Sequence, residues 1–530
     1  MGGRFLRGPY VVGDRAEVDQ CRLFSRVNLA HAYAVIGDHR AAISELERVS
    51  SVEARHPRDH ETYNSYGFSL SHLGRLDEAI TQFQKSIECQ PDFPLSHYNL
   101  GLALRSRGNL EGSTAALRRA IELDPSDPDS HNDLGVNLSK RRDFRAAVAE
   151  FQRAIELRPE FAMAYSNLGN CLRQAGDIDG AIAACRRAIE LQPDYAQSYN
   201  KLGLAFSSVG RHAEAIGALE KAIEVNPNYA LAHSNLGDVH NNVRDWKAAV
   251  QEYNRSIELD PLRADAHVGR GLALCNLALL HKSHEELDLA ADGLRRALEL
   301  EPAAARSWCI LAEIQSRQGL FVDAVASYRK GHELGSHDPL WRAPSASWVA
   351  AAERRVELDH RLPNVLNQTD VALTPAEQLE FAQFALIDKR QPAAAARLYQ
   401  QVLQTPGDLP ADQFSTARYN GACAALLTAR EADAAGLSDE QRAAWRAQAL
   451  DWLKAELENG QQLVDAAPEA GGSVAQNLSH WQSDPDLVAI REPDQLGRLP
   501  EYEREVWRQF WCDVEELQCV LQGRVANGPL

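Results

Sequence analysis

The sequence predicts an all-α solenoid of paired helices, and three observations carry that prediction. Pro57, Pro91, Pro125, Pro159, Pro193, Pro227 and Pro261 stand 34 residues apart without a slip. Between them one pattern is written six times, as in PLSHYNLGLALRSRGNLEGSTAALRRAIELDPSD from Pro94 to Asp127. Within that writing Leu100, Ala103 and Leu104 recur at helical spacing, as do Leu117, Ala120 and Ile121 further on. A chain of 530 residues is too long for one core, yet a repeat array grows by adding units that touch only their neighbours.

Taken in order, residues 1–22 carry no periodic pattern and read as a lead-in. The first unit, 23–59, has Leu29-Ala30, Tyr33, Gly37, Ala42 and Leu46 in the expected places. Full-length units follow at 60–93, 94–127, 128–161, 162–195, 196–229 and 230–263. The eighth, 264–304, is 41 residues long, and the ninth, 305–338, opens with Trp308 and Leu311-Ala312 but lacks the closing proline. In the unit 94–127 Gly108 with Asn109 ends the first helix, because a left-handed residue is needed there. The proline closes the second helix because it lacks an amide hydrogen and disfavours helix in the residue before it.

A fixed period of 34 with Leu-Gly early, Ala in the middle and Pro at the end resembles the tetratricopeptide repeat (TPR) family. The resemblance implies a right-handed superhelix of helix-turn-helix units whose first helices line a concave side. It also explains a costly glycine at the eighth place of each unit: Gly67, Gly101, Gly135, Gly169, Gly203, Gly237 and Gly271. Inside a helix glycine costs about 1 kcal/mol relative to alanine. Such a cost makes sense where two helices press together, and the expected opposite number is the small residue at the twentieth place, for example Ser113, Ala181 or Ala215.

The extra residues of the eighth unit predict about one added turn on each helix, with His281, His284, Glu285 and Glu286 at the tip. That cluster lacks the HExxH order of a zinc protease and reads as a polar apex. From Pro339 the beat stops, and seven of the nine tryptophans follow, at 341, 348, 445, 452, 481, 507 and 511. Thr374-Pro375 and the Ser438/Gln441 capping box start helices there. Ala395, Tyr399 and Val402, then Tyr419-Asn420-Gly421-Ala422, read as degenerate repeats. The last helix puts Trp507, Phe510, Trp511, Val514, Leu517 and Leu521 on one stripe that must bury, and it is expected to seal the end of the solenoid, with 339–530 as a C-terminal helical capping region. Within that region ARYNGACAAL (417–426), RAQALDWLKAEL (446–457), HWQSDPDLVAIREP (480–493) and LPEYEREVWRQFWCDVEEL (499–517) resemble the segment that closes many bacterial Hanks-type serine/threonine kinases carrying TPR arrays.

The net charge is −18, with 17 Lys and Arg against 28 Asp and Glu from Pro339 onward. Such an acidic chain repels nucleic-acid backbones. The nine cysteines form no CxxC pair, and Cys171 fills a slot that Ala103 and Ala205 occupy elsewhere, which favours buried free thiols and a reducing compartment. No signal-peptide core and no run of about 18 apolar residues is present, so a cytoplasmic protein without membrane insertion is expected.

The chain has no phosphate loop, HRD or DFG, so no kinase residue carries over from the resemblance. It has no GxSxG elbow either. Asp177, Asp179 and Gly180 hint at a calcium loop that the EF-hand spacing does not complete. His97, His131, His233 and His267 share the fourth place with Tyr63, Tyr165, Tyr199 and Trp308, which marks them as packing residues. No catalysis, metal or cofactor is expected.

What remains is a surface. In the related array of O-GlcNAc transferase an asparagine ladder at the sixth place grips extended peptide, and here that place holds Asn28, Ser65, Asn99, Asp133, Asn167, Lys201 and Asn235. An amide offers donor and acceptor together, so a row of them can read a peptide backbone. The alternative is a solvated polar stripe, and Asp133 and Lys201 interrupt the run. A clamp on a partner's terminal carboxylate is disfavoured, because no lysine takes the leading fifth place. The expected work is a noncatalytic scaffold holding an extended peptide through Asn99, Asp133, Asn167, Lys201 and Asn235. The runner-up is a regulatory or docking half of a serine/threonine kinase system, with a kinase or its substrate as partner.

Overall fold

Every regular element among the described residues of the computed structural model is a helix; those residues are 25–30, 32–50, 59–281, 283–368, 373–404, 409–430 and 437–526. The lead-in 1–22, Cys21 and Pro57 lie outside them. The chain divides into two compact units, Met1–Ala273 and Leu274–Leu530.

In the first unit helices come in pairs of near-equal length, among them Pro94–Ser106 with Leu110–Leu123, Pro128–Lys140 with Phe144–Leu157, Ala162–Ala175 with Ile178–Leu191, Ala196–Ser208 with His212–Val225, and Ala230–Asn242 with Trp246–Leu259. Each helix packs on the next in sequence. The turn inside a pair needs one left-handed residue, supplied by Gly108 (φ +87°) or Gly176 (φ +92°) and, less comfortably, by Arg142 (φ +63°) and Arg244 (φ +64°). The next residue caps the second helix: the side chains of Asn109, Asp143, Asp177 and Asp245 each accept from a backbone N–H three residues on. The Asp177/Gly180 pair is therefore a helix cap, with Gly180 N donating to Asp177 Oδ1 at 2.9 Å.

The eighth-place glycines Gly67, Gly101, Gly135, Gly169, Gly203 and Gly237 sit at close helix contacts, with a correction to their opposite number. A Cβ added at Gly169 would lie 2.5 Å from Cys185 Sγ, and at Gly101 2.8 Å from Leu117 Cγ, so the nearest side chain is that of the twenty-fourth place. The small twentieth-place residue contributes its carbonyl, Ala181 O lying 3.0 Å from the same point over Gly169. The fourth-place rings tie the repeat ends together. His97, His131, His233 and His267 bond through Nε2 to the carbonyls of Pro91, Pro125, Pro227 and Pro261. Trp308 Nε1 donates to Pro302 O in the same way.

At the division between the units the eighth repeat's first helix, Ala264–His281, runs 18 residues, and its second, His284–Leu300 in the second unit, runs 17. At their junction His281 Nδ1 bonds Glu286 Oε1 at 2.9 Å, and Arg390 reaches His284 Nε2 at 3.3 Å. Beyond Phe321–Ser336 the helices Ser345–Leu366, Pro375–Ile387, Pro392–Gln404, Ala411–Arg430, Asp439–Ala466, Gly471–Ser483 and Glu501–Ala526 bury one large core. The expected capping box forms at Ser438/Gln441, and Thr374, which starts its helix as expected, forms a second one with Glu377. The last helix buries Trp507, Phe510, Val514, Leu517 and Leu521 in that core, and Trp511 Nε1 donates to Ile490 O at 2.7 Å.

Candidate functional site

The sixth-place residues of the first unit stand on the first helix of each pair, and hydrogen bonds between repeats fix their side chains. Asn99 Nδ2 donates to Asn64 Oδ1 at 3.0 Å, Asn167 Nδ2 to Asn132 Oδ1 at 3.0 Å, and Asn235 Nδ2 to Asn200 Oδ1 at 2.7 Å. Each bond runs from the sixth place of one unit to the fifth place of the unit before it. Asn99 and Asn235 are buried, while Asn167, Asp133 and Lys201 are half-buried.

Between these amide pairs lie two charged links. Asp133 accepts from Tyr98 OH at 2.9 Å and from Arg105 Nη1 at 2.7 Å, so its carboxylate is neutralised within the array. Burial beside that carboxylate raises the Tyr98 pKa. Lys201 Nζ donates to Asn167 Oδ1 at 2.8 Å, and burial lowers its amine to about 8. Of the five expected residues the structure thus joins Asn167 and Lys201 directly, and it ties Asn99, Asp133 and Asn235 to neighbours that the sixth-place count does not include.

Those neighbours, Asn64, Asn132 and Asn200, are the residues that single-repeat reasoning missed as ladder members. They recur every 68 residues, alternating with Asn99, Asn167 and Asn235, so comparing every second unit reveals them. An amide has two donor hydrogens and two acceptor positions, and the bond to the neighbour uses one N–H of each sixth-place Asn. Further along the face Asp238 accepts from Tyr253 OH at 2.6 Å, and burial raises its pKa.

Elsewhere the described residues gather no three His, Cys, Asp or Glu side chains able to hold a metal ion. No helix among them is long and apolar enough to cross a membrane. Cys171, Cys185, Cys275, Cys309 and Cys423 are buried free thiols.

These helix pairs define an all-α TPR solenoid. Family models described as tetratricopeptide repeat match residues 132–196, 200–264 and 275–339, and one described as TPR repeat matches 72–105 and 101–140. No curated protein matches the chain. Similar solved structures include MamA, at 27% identity and TM-score 0.29 over 31% of this chain and 96% of that one. A tetratricopeptide repeat protein from Parabacteroides merdae matches at 13% identity and TM-score 0.43 over 48% and 98%. YrrB, titled a TPR protein with an unusual peptide-binding site, matches at 23% identity and TM-score 0.27 over 35% and 95%.

Proposed function

We propose that the chain is a noncatalytic protein-interaction scaffold that holds an extended segment of a partner along the first-helix face of units 94–263, through Asn99, Asp133, Asn167, Lys201 and Asn235. The observation that carries this reading is the row of amides oriented by bonds between repeats. Each of Asn99, Asn167 and Asn235 is oriented by its bond to the preceding repeat, which uses one of its two N–H donors. Side chains fixed before the partner arrives lower the ordering cost of binding. Engagement of several units at once adds the small contributions together.

The test is selection from a random peptide library displayed on phage, using the full chain. Peptides enriched by the wild type and lost by Asn167→Ala/Asn235→Ala, with helicity retained, support the reading. Identical enrichment by both proteins would make the row an ordinary polar surface.

A serine/threonine kinase, or its substrate, remains the second candidate for the partner. What supports it is that the four kinase-tail-like segments meet in one core: Tyr419 stacks on Trp481 with ring centres 5.7 Å apart, and Arg446 donates through Nε and Nη2 to the Glu503 carboxylate. The resemblance is then to a folded element rather than to scattered words.

A further inference from the structure

The array contains its own control for the site around Lys201. Arg105 stands at the twelfth place of one unit and Asp133 at the sixth place of the next, and they form an ion pair at 2.7 Å that the Tyr98 hydroxyl completes. Two repeats later, 68 residues on, the same three places hold Arg173, Lys201 and Ser166. The carboxylate has become a second cation, and the tyrosine a hydroxymethyl group.

Nothing in the array replaces the lost anion. Lys201 reaches the amide oxygen of Asn167 at 2.8 Å, and Arg173 Nη2 reaches that of Asn170 at 3.2 Å. Arg173 Nε and Ser166 Oγ are buried without a hydrogen-bond partner. Asn167, Asn170 and Arg173 follow at intervals of three along one helix and so share a face. Both cations act on the buried thiol of Cys185, which burial pushes up to about 11. Two like charges on a half-buried face are costly unless an anion joins them. A guanidinium meets a carboxylate through two nitrogens, and an ammonium adds a point charge beside it.

We propose that Arg173 and Lys201 form a subsite for an Asp or Glu side chain of the extended partner segment, an inference that rests on the peptide-binding reading above. The amide row continues on both sides, at Asn64/Asn99 and at Asn200/Asn235, so a segment lying along it passes through the subsite and offers a side chain rather than its terminus. The chain as a whole is acidic, with net charge −18, so this cation pair suits one carboxylate rather than a polyanion.

The same phage selection tests it, with the library fused at its C-terminus. The wild type is expected to enrich peptides carrying Asp or Glu at one fixed position, and a synthetic consensus peptide should lose about tenfold or more in affinity when that residue becomes Asn or Gln. Lys201→Asp recreates at Arg173 the arrangement of Arg105 and Asp133. It should melt no lower than the wild type and lose the acidic preference, as should Arg173→Gln. Enriched peptides without an acidic position, or unchanged affinity in Lys201→Asp, would each overturn the subsite while leaving the peptide-binding reading in place. No enrichment by the wild type would overturn both.

Discussion

Asn235 donates its amide hydrogen to Asn200 Oδ1 at 2.7 Å across a repeat boundary, and both residues are buried. The ladder is therefore a tie between repeats. Removing the acceptor by Asn200→Ala leaves a buried donor unmatched, at a cost of about 1–3 kcal/mol. We expect a lower denaturant midpoint for Asn200→Ala, and for the pair Asn200→Ala/Asn235→Ala a loss smaller than the sum of the two singles. Strict additivity would show that the amides do not support one another. Binding by any ladder variant must accordingly be compared at matched folding.

Two helical glycines should respond to the same substitution in opposite directions. Gly169→Ala gains helix propensity but drives its Cβ to 2.5 Å from Cys185 Sγ and 3.0 Å from Ala181 O. Overpacking of this kind costs roughly 1–3 kcal/mol, which outweighs the propensity gain of about 1 kcal/mol. Gly169→Leu should fare worse still. Gly217 lies inside the helix His212–Val225 with nothing within 4 Å of an added Cβ, so Gly217→Ala should stabilise by up to about 1 kcal/mol. Thermal melts of the single variants decide it, and a stabilised Gly169→Ala would refute the close packing.

Arg142 and Arg244 occupy the left-handed turn position that Gly108 and Gly176 fill elsewhere. A side chain there crowds the following carbonyl, at about 1–2 kcal/mol, part of which glycine returns through its freer unfolded chain. Arg142→Gly and Arg244→Gly should each raise the unfolding midpoint, by roughly 0.5–1 kcal/mol in stability. A fall in the midpoint would mean that the arginine side chains contribute more than the turn strain costs.

The repeats were legible because each of their marks answers a local demand: Pro125 ends a helix, Gly108 turns the chain, and Gly169 admits a neighbour. The ladder was half legible. Counting the sixth place alone found Asn99, Asn167 and Asn235 but not Asn64, Asn132 and Asn200, because the bond runs between different places of adjacent units and alternates over two repeats. The tail was legible as helices and as one apolar stripe around Trp507. Its pairings were not, since Arg446 meets Glu503 and Tyr419 meets Asp484 across 57 and 65 residues with no period to link them.

Lys201 should make stability rise with alkalinity over a window set by its own titration. Burial holds its amine at about 8, against 10.5 for the free side chain. Below the lower value the lysine is charged in both folded and unfolded chains, and the burial penalty is fully present. Above it the folded chain has lost a proton that the unfolded chain keeps up to the higher value, so the unfolded state binds more protons and stability increases with pH. Cys185 acts oppositely, because burial raises its thiol from 9.0 to about 11 and the folded chain holds a proton that the unfolded chain loses. The lysine effect is therefore cleanest between about pH 7.5 and 9, where each unit of separation is about 1.4 kcal/mol. Lys201→Met removes the titrating group, so it should melt above the wild type at pH 7, with the gap narrowing as pH rises through that window. A bound carboxylate would favour the charged amine and raise its pKa, so peptide binding at pH 8.5 should take up protons, seen as a dependence of the binding heat on buffer ionisation enthalpy. Parallel melting curves for the two proteins would show that Lys201 is solvated, and buffer-independent heat would show that no carboxylate meets it.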